Sequence, residues 1–186
     1  MAATLELLRD RGIANLTTRE VAARAGVSDA SVYYHFRDRA GLLQCVFATT
    51  MQPLAYLSTL SDDERDRVEV LTDAARALER FFDEALPVLI ASQSDPELRE
   101  AFAQHLCSND LGPHKGVQAL GVYLRNEQAS GRVDPEVDVD AAAMLLIDNC
   151  LGRAMRKQMR SYPMKALPTL EQVVQTINRL LERPPG

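Results

Sequence analysis

Apolar positions recur three and four residues apart along almost the whole chain, the period of a helix with one face turned inward. No stretch alternates apolar and polar residues for long, and no Asn-Gly or Asp-Gly pair marks a hairpin. Leu170, Val173, Val174, Ile177, Leu180 and Leu181 form the cleanest stripe. Helix starts show as a Ser or Thr followed three residues later by Glu or Gln. The hydroxyl accepts from an orphan amide and the longer side chain reaches back. Thr17/Glu20, Ser61/Glu64, Ser94/Glu97 and Thr169/Gln172 fit, and Pro96 suits a first helical turn. The pattern predicts an all-α fold with helices over about 2–11, 18–25, 29–35, 38–58, 62–92, 95–107, 114–129, 138–160 and 169–183. Pro53 and Pro87 fall inside two of them and should kink or break each.

Composition narrows the class. With 186 residues, 46% apolar and 25% charged, the chain has the balance of a folded globular protein. No run of about 18 apolar residues predicts a membrane span. The opening MAATLELLRDRG has no basic segment leading into an apolar one, so a cytoplasmic protein is expected. Cys45, Cys107 and Cys150 are odd in number with no C-x-x-C pair, which points to thiols rather than disulfides or a zinc site. The net charge of −5 argues against a polyanionic partner, but it is unevenly spread. Residues 1–50 hold 6 of the 21 basic and 5 of the 26 acidic side chains, so the first fifty alone are not acidic.

Residues 18–35, TREVAARAGVSDASVYYH, carry the densest signal. Val21, Ala22 and Ala25 share one face of the first short helix, and Ala22 is small where a second helix must cross. Gly26 can take a positive φ at a sharp turn. Val27 is expected to plug the corner, Ser28 to cap the next helix and Val32 to anchor it inward. Asp29, Ala30, Ser31, Tyr33, Tyr34 and His35 face outward, small or hydrogen-bonding as a major-groove helix requires. Taken alone, the same two helices also suit the cap of a bundle.

The flanking residues add to this. Gly12 to Leu43 reads GIANLTTREVAARAGVSDASVYYHFRDRAGLL and resembles the amino-terminal DNA-binding domain of the TetR family of transcriptional repressors. The points of match are Gly12, Thr17-Thr18, Ala25-Gly26-Val27-Ser28, Val32-Tyr33-Tyr34-His35-Phe36 and Leu42-Leu43, and the likeness spans nearly fifty residues. The resemblance implies a three-helix helix-turn-helix domain over 1–45 and a helical effector-binding and dimerisation domain over 46–186. It implies double-stranded DNA with a palindromic operator as partner, read by Thr18, Arg19, Ser28, Asp29, Ala30, Ser31, Tyr33, Tyr34, His35 and Arg39. Phe36 is expected in the core, and His35 either there or at DNA. The family usually has a longer, often basic arm before the first helix, so contacts from such an arm are expected to be missing or the start of this chain to be shortened, and Asp29 places a negative charge at the reading end.

Helix 138–160 is apolar without a break from Ala141 to Ile147 and again at Cys150, Leu151, Ala154, Met155 and Met159. Two greasy faces need two partners: the subunit's own core and the same helix of a second copy, with 169–183 completing a four-helix homodimer interface. Ala143, Ile147, Leu151, Met155, Val173, Ile177 and Leu181 are the expected interface residues. A fully buried central helix in a monomer is the alternative. Arg153, Arg156, Lys157 and Arg160 read as a solvated basic face.

By the resemblance, a small-molecule effector of unknown identity binds the larger domain and releases DNA; the kink expected at Pro53, in the helix that joins the two regions, is the expected pivot. Phe82, Phe102, His105, Tyr123 and Asn149 are the candidate pocket residues. No catalytic residue, cofactor or metal ligand set is expected: His105 and Cys107 lack a positioned base and oxyanion donors, and no HExxH or phosphate-binding glycine motif occurs. A helical dimer that binds a ligand or protein and has lost DNA binding stands as the other reading.

Overall fold

The computed structural model describes Thr4, Glu6, Leu7 and residues 17–93, 96–159 and 167–182, without the side chains of Arg39 and Asp62. Among these residues every regular element is a helix. In chain order they are α1 (Thr18–Ala25), α2 (Asp29–Phe36), α3 (Arg39–Thr50), a 3-10 segment (Gln52–Asp62), α4 (Arg67–Ser92), α5 (Pro96–Ser108), α6 (Pro113–Ala129), α7 (Val139–Gln158) and α8 (Leu170–Leu181). The chain forms two compact units, one of residues 1–52 and 83–111, the other of 53–82 and 112–186. Most of the expected first helix, Gly12, the Ser94 cap, Arg160 and most of the break before Pro168 lie outside the described residues.

In the first unit, local chemistry sets the ends of each short helix. Thr17 accepts from the Glu20 amide at 3.1 Å and caps α1. Gly26 ends that helix at φ 69°, where only the lack of a Cβ keeps the backbone unstrained. Ser28 accepts from the Ser31 amide at 3.1 Å and starts α2. Val21, Ala22 and Val32 are buried where the two helices meet. Val27 does not plug the corner: it is 48% exposed, and Ala25 is exposed as well. The corner closes through backbone instead, with the Val27 amide donating to the Ala22 carbonyl at 3.0 Å.

The far end of α2 departs from anything the apolar pattern signals. Arg37 has φ 59° and ψ −58°, and the Asp38 amide donates to the Phe36 carbonyl two residues back, so Arg37 sits at the centre of a strained γ-turn. Asp38 then caps α3 by accepting from the Gly41 amide at 2.8 Å. Gly41 is the residue that lets this turn fit, since a Cβ there would lie 2.3 Å from the Phe36 carbonyl oxygen. From α3, Leu42, Leu43, Val46 and Phe47 point into the core. Phe47 meets Phe102 of α5 edge to face at 5.1 Å, and Gln44 donates to the Ala101 carbonyl.

Two expected boundaries shift. The helix expected over 38–58 ends at Thr50, because Pro53 cannot donate and the chain tightens into 3-10 turns that run to Asp62. The next helix starts at Arg67 rather than 62, with the Asp66 carboxylate accepting from the Val68 and Glu69 amides in place of a Ser61 cap. α4 continues unbroken through Pro87, whose flanks Ala85, Leu86 and Val88 are buried.

The second unit is built on α6 and α7 packed together. Gly116 brings them close, since a Cβ there would be 3.1 Å from the Ile147 methyl. α8 lies on α7 and opens with a full capping box between Thr169 and Gln172. Arg67 ties the start of α4 to Asn178 at 2.7 Å and to the Arg132 carbonyl. Arg153 is not solvated as expected: it pairs with Glu79 at 2.6 Å and donates to the Pro168 carbonyl, because two acceptors converge on it at a half-buried position. Cys150 is buried against the Ala75 carbonyl, and desolvation pushes its thiol up to about 12.

Gly41→Ala is expected to lower unfolding free energy by about 2 kcal/mol, since the new methyl must displace backbone rather than a mobile side chain; chemical denaturation reads it. A disulfide reagent such as Ellman's should modify Cys45 and Cys107, both exposed, in the native protein, and Cys150 only after denaturant is added.

Candidate nucleic-acid interface

The residues expected at DNA converge on one surface made by α1, the turn and α2. Arg19, Ser28, Asp29, Ala30, Tyr33, Tyr34 and His35 are exposed, and Thr18 and Ser31 are half-buried. Tyr33 is 64% and Tyr34 83% exposed, far more than two adjacent aromatics need for stability. The Ser28 oxygen accepts from the Ser31 amide, which leaves its O–H to donate outward. Tyr34 and His35 stack edge to face at 5.5 Å, which holds the tyrosine ring in place without covering it. His35 is on the open side rather than in the core, while Phe36 is half-buried. Arg39 opens α3 right after the γ-turn, so its backbone sits one residue from the Asp38 cap.

Asp29 occupies the first turn of α2, where its carboxylate favours the positive end of the helix dipole. Arg37 is a surface cation that the residue pattern alone does not single out. The only signal for it is an Arg after an aromatic run. The turn that projects it depends on Gly41, four residues on, which no helical period marks.

The candidate ligand residues divide between the two units. Phe102 and His105 are in the first unit, where Phe102 is taken up by Phe47 and His105 lies against Phe102 at 6.4 Å. Phe82, Tyr123 and Asn149 belong to the second unit, and Phe82 is in ring contact with Phe81 at 4.9 Å. Tyr123 is buried on α6 with no partner for its hydroxyl; burial, then the neighbouring Glu127 carboxylate, raises its pKa. Asn149 lines a groove of about 800 Å³ along α7 and α8 with Leu145, Val173, Thr176 and Leu180, and its amide oxygen is buried and unpaired. Glu127, which no sequence motif marks, is a buried carboxylate held by the Arg132 guanidinium at 3.0 Å.

The expected interface residues divide in the same way. Ala143, Ile147, Ile177 and Leu181 are buried inside the subunit, because the inward stripes of α7 and α8 are spent on each other and on α6. Leu151 and Val173 are half-buried and Met155 is exposed. The open apolar surface on these two helices consists of Met144, Leu145, Met155 and Leu180, with Met159 at the carboxy cap of α7.

Residues 1–46 match the family model for bacterial regulatory proteins of the tetR family. A probable HTH-type transcriptional regulator, ArpR, of Pseudomonas putida is 26% identical over 155 residues, spanning 77% of this chain and 72% of that protein. The tetracycline repressor protein class C of Escherichia coli is 33% identical over 121 residues, 62% of this chain and 55% of that protein. Among solved structures, a SmeT–triclosan complex superposes with a TM-score of 0.68 at 18% identity, covering 96% of this chain and 87% of that one, a likeness of fold. Residues 1–46 thus carry the helix-turn-helix of the tetR family of bacterial regulatory proteins, and most of the chain is similar to transcriptional regulators.

Proposed function

We propose that this protein is a dimeric, ligand-responsive repressor that reads a pseudo-palindromic operator through residues 29–35 and is released by a small effector held in residues 46–186. The observation that carries the reading is the α2 surface: a capped eight-residue helix that turns Tyr33, Tyr34 and His35 to solvent behind a narrow amino end of Asp29, Ala30 and Ser31. Small residues let the helix enter a major groove, where base edges differ in donors and acceptors. Tyr34, Arg39 and Arg37 are assigned to phosphates, which fix register without reading sequence.

One such helix spans too few base pairs for useful discrimination. Two, held about 34 Å apart by a twofold axis, read successive turns of one duplex face. The open apolar residues Met144, Leu145, Met155 and Leu180, with half-buried Leu151 and Val173, supply the pairing face along α7 and α8. The chain crosses between its two units at 52/53, 82/83 and 111/112, and Pro53 stands at the first crossing. An effector that prefers one arrangement of the units shifts DNA affinity by that preference and no more. A relative named as a tetracycline repressor and a neighbour solved with triclosan are consistent with a small-molecule effector.

Selection from random duplexes tests this directly: an enriched palindrome is expected, and an unenriched pool sinks the reading. On the selected duplex, Tyr34→Ala and Arg39→Ala should each weaken binding about tenfold or more with the fold intact, and affinity should drop steeply as salt rises. Leu180 is 57% exposed, so Leu180→Glu leaves the subunit folded. Sedimentation equilibrium should then find monomers, with operator affinity reduced at least tenfold.

A further inference from the structure

Ser28 already fills the role that an acidic residue most often has at the start of a helix. Its hydroxyl oxygen accepts from the Ser31 amide at 3.1 Å, so the amide that a carboxylate cap would hold is taken. Asp29 follows as the first residue of α2 and is exposed. No ion pair or hydrogen bond holds its side chain among the described residues. Within the subunit, the pull of the positive helix end is all that favours a carboxylate there.

That position is unfavourable on a surface that meets a polyanion. Phosphates repel the carboxylate, and the exposed Arg19 and Arg37 do not pair with it. Asp29 stands one helical turn before Tyr33, which is 64% exposed, so the two lie on the same side of α2. Ala30 beside it is too small to keep the carboxylate from a base edge.

The chemistry of a carboxylate in a major groove is narrow, because it accepts hydrogen bonds and donates none. Guanine presents two acceptors there, and thymine an acceptor and a methyl group. Adenine sets its N6 donor beside the N7 acceptor, which repels the second carboxylate oxygen. Cytosine alone presents a donor, its N4 amine, and no acceptor.

We propose that Asp29 is a specificity-determining residue that accepts from the N4 amine of a cytosine at one position of each operator half-site. The inference deepens the operator reading above and rests on it. Two opposed effects then act through one side chain. The charge weakens binding to every duplex, and the hydrogen bond recovers the loss only where the amine is in place, so discrimination rises while overall affinity does not.

Selection from random duplexes, run side by side on the full chain and on its Asp29→Ala and Asp29→Asn variants, tests this. The parent should select a palindrome with cytosine fixed at one position per half-site. Asp29→Ala should relax that position and leave the others as they are. Asp29→Asn should exchange the cytosine for adenine, whose N6 and N7 an amide meets bidentately. On the parent's palindrome, replacing that C·G pair by T·A should weaken parent binding about tenfold and Asp29→Ala binding less than about twofold. Asp29→Ala should also bind unrelated duplex more tightly than the parent at low salt. A purely structural role at the helix start predicts the reverse pattern: lower melting temperatures in both variants with every base preference unchanged. Variants that select the parent's palindrome with the same base at every position overturn this inference alone. A parent that enriches no duplex overturns the regulator reading, and this inference with it.

Discussion

Eight residues of helix do not hold themselves together in water, because nucleation costs more than so few hydrogen bonds return. α2 exists as a helix only because both of its ends are fixed from outside its own hydrogen-bond ladder. Ser28 satisfies an amide at its start, Val32 anchors it to α1 and the γ-turn at Arg37 stops it. That turn in turn requires the missing side chain at Gly41. With its ends and one anchor supplying the stability, the remaining residues of α2 are released from packing. They are therefore available for chemistry on the outside, and this is why two tyrosines and a histidine stand in solvent there.

Much of this is legible in the residues themselves. The cap residues Thr17, Ser28 and Thr169 and the αL glycine at 26 mark the ends they do because each answers a local hydrogen-bonding or steric need that a short window contains. The outward set on α2 follows from the same spacing. What the residues do not reveal depends on atoms distant in sequence or on competition between local signals. Ser61 and Glu64 spell a capping box, but the 3-10 turns after Pro53 run through Ser61, and Asp66 caps α4 in its place. Gly41 reveals its role only when the Phe36 carbonyl is placed against it.

The second unit shows a different limit. Periodicity tells which faces of α7 and α8 are apolar, not which neighbour each face will meet. Ala143, Ile147, Ile177 and Leu181 fit an interface by pattern, but α6, α7 and α8 bury them against one another. The faces left open are offset around each helix, at Leu145, Met155 and Leu180. Arg153 is a parallel case: on a helix carboxy end it reads as a solvated cation, but Glu79 and the Pro168 carbonyl take it into a half-buried network. Tyr123 stands out among the aromatics by type, while the missing partner for its hydroxyl emerges only once its surroundings are in place.

The account stands on a surface that meets a duplex through α2 and the turns at its two ends. Amide chemical-shift mapping of the isotopically labelled full chain, titrated with duplex DNA at low salt, measures that surface whatever sequence the operator has. The account predicts that the largest changes fall at Thr18–Arg19 and from Ser28 to Arg39, and that they fade as salt is raised. Changes centred on α7 and α8, or none at low salt, would contradict it.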